Sequence, residues 1–570
     1  MTAYADRIDM QNRLFAELSS MFGKEVPLYD KSLLVNQVAN RAVCDLLAQM
    51  FPGFSVSDAQ LEKTSSERHG AIRIGRNDEY RWIARFFACF AMEPHNYYDM
   101  TDVGAKSQPI VATAFRSTIG PEHRVFTSLL QTDYFDDETR SRIEDLLSTR
   151  QVFPDGAKQL IEKCESQGGL TEAEADELIR HATDRIFKWT GAARDHKLYT
   201  DLCEAGFKIA ADIACFESHH LNHLTPNTLC MDLYTAAMRR CMGEMTNDAF
   251  RQRAEVVLRR FCETADHDYL RLSFKHLSAD QINSYERSAL PPQTIKNAAD
   301  AVSDRLSQPD LDLTTLNHSG FKDSTEGPSW DTPLLLRQDA YKALTEPVRF
   351  TNPDGTTVDT VHTARFGEIE QRFYATTPEG RDLYDRCLAS AEAAKAENPT
   401  LAKTDLEAYE TEYASHFAEF PKTLPELLRA GLVYALYSPT DAGRAAAGSI
   451  TTTDIHELVE QGYADYEGLR YEDFLPVSAA GIFASNLNQY GTKSTATTKP
   501  TYTRAMLEDI LGRPIIDTDA VYRGLWAKSL LDTYGSLGLL NRLDDSTRND
   551  LQTAVDRCPA FDNGQVAARA

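Results

Sequence analysis

The sequence predicts an α+β fold in which short strands drawn from distant segments are enclosed by helices. Two observations carry that reading. Apolar residues recur at helical spacing through long stretches, as in Leu33-Leu-Val-Asn-Gln-Val-Ala-Asn-Arg-Ala-Val. Between those stretches, brief runs alternate apolar and polar residues or sit between glycines, which is strand patterning. At 570 residues the chain exceeds one ordinary domain, so two or three packed units are expected.

Taken in order, the first sixty residues read as helical, from Arg13-Leu-Phe-Ala-Glu-Leu onward. At 67–77, Ile72 and Ile74 alternate with Arg73 between glycines, which predicts a short half-buried strand. Helix returns at Tyr80-Arg-Trp-Ile-Ala-Arg-Phe-Phe-Ala-Cys-Phe, and Pro109-Ile-Val-Ala-Thr-Ala-Phe-Arg predicts another strand. The stretch 125–190 reads as mainly helical. Within it, Thr171-Glu-Ala-Glu is a capping box whose helix lines up Leu178, Ile179, Ala182 and Ile186. Alternation through Lys208-Ile-Ala-Ala-Asp-Ile-Ala-Cys-Phe predicts a strand running into Glu217-Ser-His-His-Leu-Asn-His-Leu-Thr-Pro. Residues 236–325, rich in Arg, Asp and Ser, carry helical pieces such as Phe250 to Cys262. Strand patterning returns at Val358-Asp-Thr-Val-His-Thr-Ala-Arg-Phe-Gly-Glu-Ile-Glu-Gln-Arg, followed by an Ala- and Glu-rich helical stretch from 378 to 418. Leu475-Pro-Val-Ser-Ala-Ala-Gly-Ile-Phe reads as an apolar loop, and Tyr522 to Leu531 as a late helix.

Charge narrows the function. Sixty Lys and Arg against 85 Asp and Glu give a net charge of −25, which argues against a nucleic-acid partner. No apolar run is long enough to span a bilayer, and the first residues lack the basic and apolar regions of a secretory signal. The ending Ala-Ala-Arg-Ala matches no retention or peroxisomal signal. Ten cysteines sit singly with no Cys-x-x-Cys pair, so a reduced, intracellular protein, cytoplasmic by expectation, is predicted. There is no Gly-x-Gly-x-x-Gly after a strand, no phosphate loop, no His-Glu-x-x-His helix and no Gly-x-Ser-x-Gly elbow.

A few residues could carry chemistry. Of 14 histidines, only 219, 220 and 223 cluster. His223, in Asn222-His-Leu-Thr-Pro, can project into a cleft, although an ordinary solvated loop histidine fits equally. His219 and His220, adjacent in an extended chain, point to opposite faces and are given no role. His69 starts a strand, with Gly70 permitting close approach of another group and Arg73 on the same face. That pair suits a metal ligand beside a carboxylate clamp, and a surface arginine suits the same spacing. Glu368 and Glu370 share one strand face, either buried with partners or in water. Two histidines and a carboxylate are the ligand set of non-haem iron(II); the sequence allows that set without requiring it.

At these residues the chain resembles the 2-oxoadipate dioxygenase/decarboxylase family. The matching pieces are His69-Gly-Ala-Ile-Arg, Thr113-Ala-Phe-Arg, Val125-Phe-Thr-Ser-Leu-Leu and Asn222-His-Leu-Thr-Pro. Leu335-Leu-Arg-Gln, Phe366-Gly-Glu-Ile-Glu-Gln-Arg and Tyr471-Glu-Asp-Phe-Leu-Pro-Val-Ser-Ala-Ala-Gly-Ile-Phe follow in the family's order. The resemblance implies a curved mixed sheet of vicinal-oxygen-chelate type around one iron(II), held by His69, His223 and Glu368. Glu368 is preferred to Glu370 because related hydroxyphenylpyruvate dioxygenases also place the ligand Glu four residues before an Arg. Arg73 matches the contact to a substrate carboxylate, and Val477 a position lining the substrate pocket.

The implied reaction converts 2-oxoadipate and O2 into 2-hydroxyglutarate and CO2, a step of lysine catabolism. Other readings are a related 2-oxo acid oxygenase and a non-catalytic metal or small-acid binding protein. Two positions depart from the family: Asn227 stands where Arg is frequent, and Phe373 where Gly is common. The long span between His223 and Glu368 marks 236–325 as a helical insertion, expected to pack outside and to be dispensable for the site. The expected division is 1–60 helical, 61–235 first part of the metal-binding core, 236–325 insertion, 326–500 second part of the core, and 501–570 helical.

Overall fold

Helices form where the periodicity places them. Asp6 accepts the amides of Ile8 and Asp9 and opens α1 (Arg7–Glu25), and Pro27 opens α2 (Pro27–Met50). The computed structural model describes residues 3–102, 107–118, 123–475, 493–497 and 500–559. Its architecture is α+β. The strands are β1 (Glu67–Ile74), β2 (Met92–Asp99), β3 (Ile110–Ser117), β4 (Arg124–Leu130), β5 (Ala192–Arg194) and β6 (His223–Pro226). They continue with β7 (Leu336–Ala340), β8 (Thr345–Thr351), β9 (Thr357–Thr363), β10 (Glu368–Arg372), β11 (Ala435–Pro439) and β12 (Ala464–Gly468).

The largest sheet is mixed, in the order β2-β3-β4-β1-β6. In it β1 runs parallel to β4 and antiparallel to β6. Smaller sheets are β10-β7, β11-β12 and β5-β8-β9. The amide of Thr228, just past β6, donates to the Glu370 carbonyl at 2.9 Å, which sets β10 beside β6. Strand alternation divides β1 between two cores. Ile72 and Ile74 join the core that includes α1 and α2, whereas Ala71 joins Ala112, Ala114 and Phe126 on the other face.

Two buried asparagines of α2 hold the turn after β6. Asn36 Nδ2 donates to the Asn227 carbonyl at 2.9 Å, and Asn40 Oδ1 accepts the Leu229 amide at 2.8 Å. The first helices and the β1-β6 strand pair are therefore one packed unit.

The structure corrects four expectations. Arg124–Leu130 is a central strand, not the start of a helical stretch; both its faces are buried, so it shows no alternation to read. Lys208–Cys215 is a helix, not a strand. It is buried all round, and a short apolar run carries no period that separates the two. The run 358–372 splits into β9 and β10, which belong to different sheets. Residues 236–325 do not lie outside. Helices Asn247–Thr264 and Pro292–Leu306 pack on α2 and bury Phe250, Leu258, Ile295 and Val302 in the main core.

Loss of Leu258, which is fully buried, should accordingly be costly. Leu258→Ala is expected to lower stability by about 2–5 kcal/mol, read as a reduced urea midpoint at unchanged slope. Deletion of 236–325 should yield no soluble folded chain, because it strips one face of α2. A deletion variant that folds and binds metal would restore the outlying placement.

Candidate metal centre

His69 on β1, His223 at the start of β6 and Glu368 at the start of β10 bring three ligand atoms within 4.8 Å of one another, and all three residues are buried. The register explains the convergence: His69 pairs with Thr225 and Ala71 with His223, so both imidazoles share one side of the β1-β6 pair. Two glycines let the elements close in. A Cβ on Gly70 would meet the Leu224 side chain at 3.0 Å, and one on Gly367 would sit 2.3 Å from the Tyr341 ring.

Glu368 Oε2 lies 3.0 Å from His69 Nε2 and 3.3 Å from His223 Nε2. Thr225 Oγ1 sits between them, 2.9 Å from His69 Nε2 and 3.1 Å from Glu368 Oε2. Apolar rings close the surroundings, with Phe474 edge-on to His69 at 4.7 Å and Phe366 stacked on His223 at 4.7 Å.

His69 has a second carboxylate behind it. Its Nδ1 donates to Glu370 Oε2 at 2.8 Å. Glu370 is clamped by Arg372, with Nη2 to Oε2 at 2.8 Å and Nε to Oε1 at 2.5 Å, and Arg124 Nη1 reaches Oε1 at 3.3 Å. Burial alone would raise the Glu370 carboxyl, but Arg372, His69 and Arg124 hold it well below the usual carboxylate range. Glu370 therefore stays ionised and, through its contact with Nδ1, fixes the orientation of the His69 ring with Nε2 turned toward Glu368.

What converges on that nitrogen decides what the site can hold. His69 Nε2 faces Glu368 Oε2 at 3.0 Å, a spacing that a proton or a bound cation would bridge. Burial pushes His223 down to about 4 despite the pull of Glu368, so a neutral imidazole joins them. Glu368 itself, raised by burial but lowered more by His223 and His69, stays ionised. Two imidazole nitrogens and a carboxylate oxygen converging this closely can share one cation. Ligands about 2.1 Å from one ion at right angles lie about 3.0 Å apart, close to what is seen. Among the described residues, Glu368 Oε1 has no hydrogen-bond partner, which fits a carboxylate facing a metal or its ligands. A divalent transition metal fits this set.

Arg73 lies on the same face of β1 as His69 and is buried rather than at the surface. Its Nη1 donates to Asp212 Oδ2 at 2.6 Å. Asp212 also takes His362 Nε2 at 2.8 Å and His220 Nε2 at 3.3 Å. His219 turns the other way, with Nε2 3.3 Å from Glu79 Oε2, so the two neighbours do point apart, yet both are buried instead of solvated. Val477 and most of its apolar loop lie outside the described residues. Sequence reasoning passed over Thr225, Arg124, Arg372 and Asp212. A period-two reading of Glu370-Gln-Arg372 could have flagged Arg372, while Asp212 sat in a segment given the wrong element.

The sequence model of the 2-oxoadipate dioxygenase/decarboxylase family matches residues 14–266 and 259–486. The 2-oxoadipate dioxygenase/decarboxylase of Pseudomonas putida is 32% identical over 530 residues, covering 90% of this chain and 94% of its own. That of Escherichia coli is 30% identical over 524 residues, covering 90% and 95%. Among solved structures, the hydroxyglutarate synthase in complex with 2-oxoadipate from Pseudomonas putida aligns with a TM-score of 0.66 at 30% identity, over 95% of this chain and 100% of that one.

Proposed function

The chain belongs to the 2-oxoadipate dioxygenase/decarboxylase family, and from that premise we propose that it converts 2-oxoadipate and O2 into 2-hydroxyglutarate and CO2 with iron(II) as cofactor. The observation that carries the proposal is the convergence of His69 Nε2, His223 Nε2 and Glu368 Oε2, two imidazoles and a carboxylate, all on buried residues. Those three residues would hold the iron. When bound, iron(II) supplies the electrons and the open coordination positions that a 2-oxo acid and dioxygen need.

The chain's own residues do the rest. Glu370, braced by Arg124 and Arg372, keeps the His69 ring in one orientation. Phe474 and Phe366 exclude water, which protects reactive species from solvent. Arg73 would take a substrate carboxylate, because a buried diacid cannot leave its second charge unpaired. Val477 is assigned to the pocket wall by its match to the family.

The same proposal reads the sheet as vicinal-oxygen-chelate in type, supported by ligands on adjacent strands β1, β6 and β10. It places the enzyme in lysine degradation, inside the cell and in the cytoplasm; ten cysteines, nine of them buried and none in a disulfide among the described residues, support a reducing setting. No helix among the described residues is long and apolar enough to cross a membrane.

Oxygen uptake tests the reaction. Mixing anaerobic iron(II)-loaded protein with 2-oxoadipate and then oxygen should consume O2 stoichiometrically with 2-hydroxyglutarate formed. Uptake only with another 2-oxo acid would replace the substrate, and no uptake with any 2-oxo acid would leave a metal-binding protein without this chemistry.

A further inference from the structure

Asp212 has no task in the proposed reaction, yet its placement is demanding. It sits on the helix Lys208–Cys215 among Ile209, Ala211, Ile213 and Ala214 and is 1% exposed. An ionised carboxylate there needs several donors. One donor reaches each of its oxygens, with a second imidazole close to Oδ1. Oδ1 faces His362 Nε2 at 2.8 Å and His220 Nε2 at 3.3 Å. Oδ2 is given to Arg73 Nη1 at 2.6 Å.

The histidine side of this network is itself held. The Tyr199 hydroxyl is hydrogen-bonded to His362 Nδ1 at 2.8 Å and fixes the ring whose Nε2 reaches Asp212 Oδ1. The His362 ring packs on Phe216 at 4.6 Å and lies parallel to Trp189 at 5.9 Å. A helix, a strand and the loop before β6 thus fix one carboxylate, and its remaining oxygen fixes one guanidinium. Arg73 starts on β1 four residues beyond His69, and without such an anchor its long side chain would sample many rotamers.

We infer that Asp212 is a positioning residue for substrate binding. Anchored through Oδ1, it sets through Oδ2 the plane of the Arg73 fork that receives a carboxylate of the 2-oxo diacid. This rests on the substrate-binding role proposed for Arg73. A preset fork loses less freedom when the carboxylate docks, so the gain falls on affinity and on the preference for diacids over monoacids. An ion pair that served only the core would support folding and leave that preference alone.

The test uses anaerobic, metal-loaded full-length protein and reads the dissociation constant of 2-oxoadipate together with metal content. Asp212→Asn should retain one metal per chain and weaken 2-oxoadipate binding about tenfold or more, with KM rising more than kcat falls. Tyr199→Phe, which removes only the outer hydroxyl, should weaken binding in the same direction by about two- to fivefold. Arg73→Ala should weaken it at least as much as Asp212→Asn, and adding Asp212→Asn to Arg73→Ala should cost nothing more. If Arg73→Ala weakens binding while Asp212→Asn and Tyr199→Phe leave it within about twofold, Asp212 is a core ion pair and the inference fails. Should Asp212→Asn not fold, Tyr199→Phe decides alone by the same criterion. Unchanged binding in Arg73→Ala would overturn the Arg73 reading itself and the inference with it.

Discussion

Glu368→Ala is expected to contain no stoichiometric metal and to show no turnover, while its metal-free form stays as stable as the metal-free parent. Glu368 brings the only negative charge among the three converging donors, since the other two are imidazoles. Two imidazoles without a carboxylate do not repay the desolvation of a dication. The apo fold should hold, because removing Glu368 costs its contacts to His69 and Thr225 but also relieves the burial of an ionised carboxylate. Metal at about a hundred times its dissociation constant should stabilise the parent by roughly 2.7 kcal/mol and the variant not at all, which a thermal shift reads directly.

Glu370→Gln behaves differently. It keeps the three donors but weakens the brace on His69 and leaves Arg124 and Arg372 less neutralised. Metal affinity should fall about 10–100-fold and remain measurable at saturating metal. If Glu370→Gln lost its metal while Glu368→Ala kept it, the two carboxylates would have been assigned the wrong way round.

How much of this was legible in the sequence depended on whether burial left a pattern. His69 and Arg73 could be placed on one face because β1 sits between two cores and its glycines mark the run. Glu368 and Glu370 were legible as neighbours on a face. Their division of labour was not, because it comes from Arg124, far away on β4, and from Arg372. The β4 strand was missed because residues buried on both faces show no alternation, and it carries Arg124 into the heart of the site. Asp212 was hidden by the same physics in a helix: where every face is apolar, periodicity vanishes. The segment 236–325 misled through composition. Most of its Arg and Asp residues are exposed or half-buried, while Phe250, Leu258 and Val302 turn into the core.

Arg73 is where metal chemistry and substrate recognition separate, so its substitution should split the two. A six-carbon 2-oxo diacid brings two carboxylates, and the metal can neutralise only the one beside the keto group. The distal group needs a fixed cation in a buried pocket. The Arg73 Cα lies four residues, about 13 Å, along β1 from that of His69, and its long side chain can bend back toward the pocket. Its charge already acts on His223, which it helps to hold neutral. Arg73→Ala is therefore expected to bind metal normally and to lose about a hundredfold or more in kcat/KM for 2-oxoadipate, as the loss of one partner of a buried charge pair costs roughly 3–5 kcal/mol. Asp212 should remain tolerable in that variant because His362 Nε2 still donates to it, with His220 Nε2 3.3 Å away. Arg73→Lys keeps the charge beside Asp212 but not the two-pronged contact, so it should recover little activity. A monocarboxylate 2-oxo acid of similar length should hardly distinguish parent from variant if Arg73 holds the distal group. Equal loss of both substrates would instead assign Arg73 to the carboxylate beside the keto group, and unchanged kinetics with 2-oxoadipate would reduce it to a core partner of Asp212.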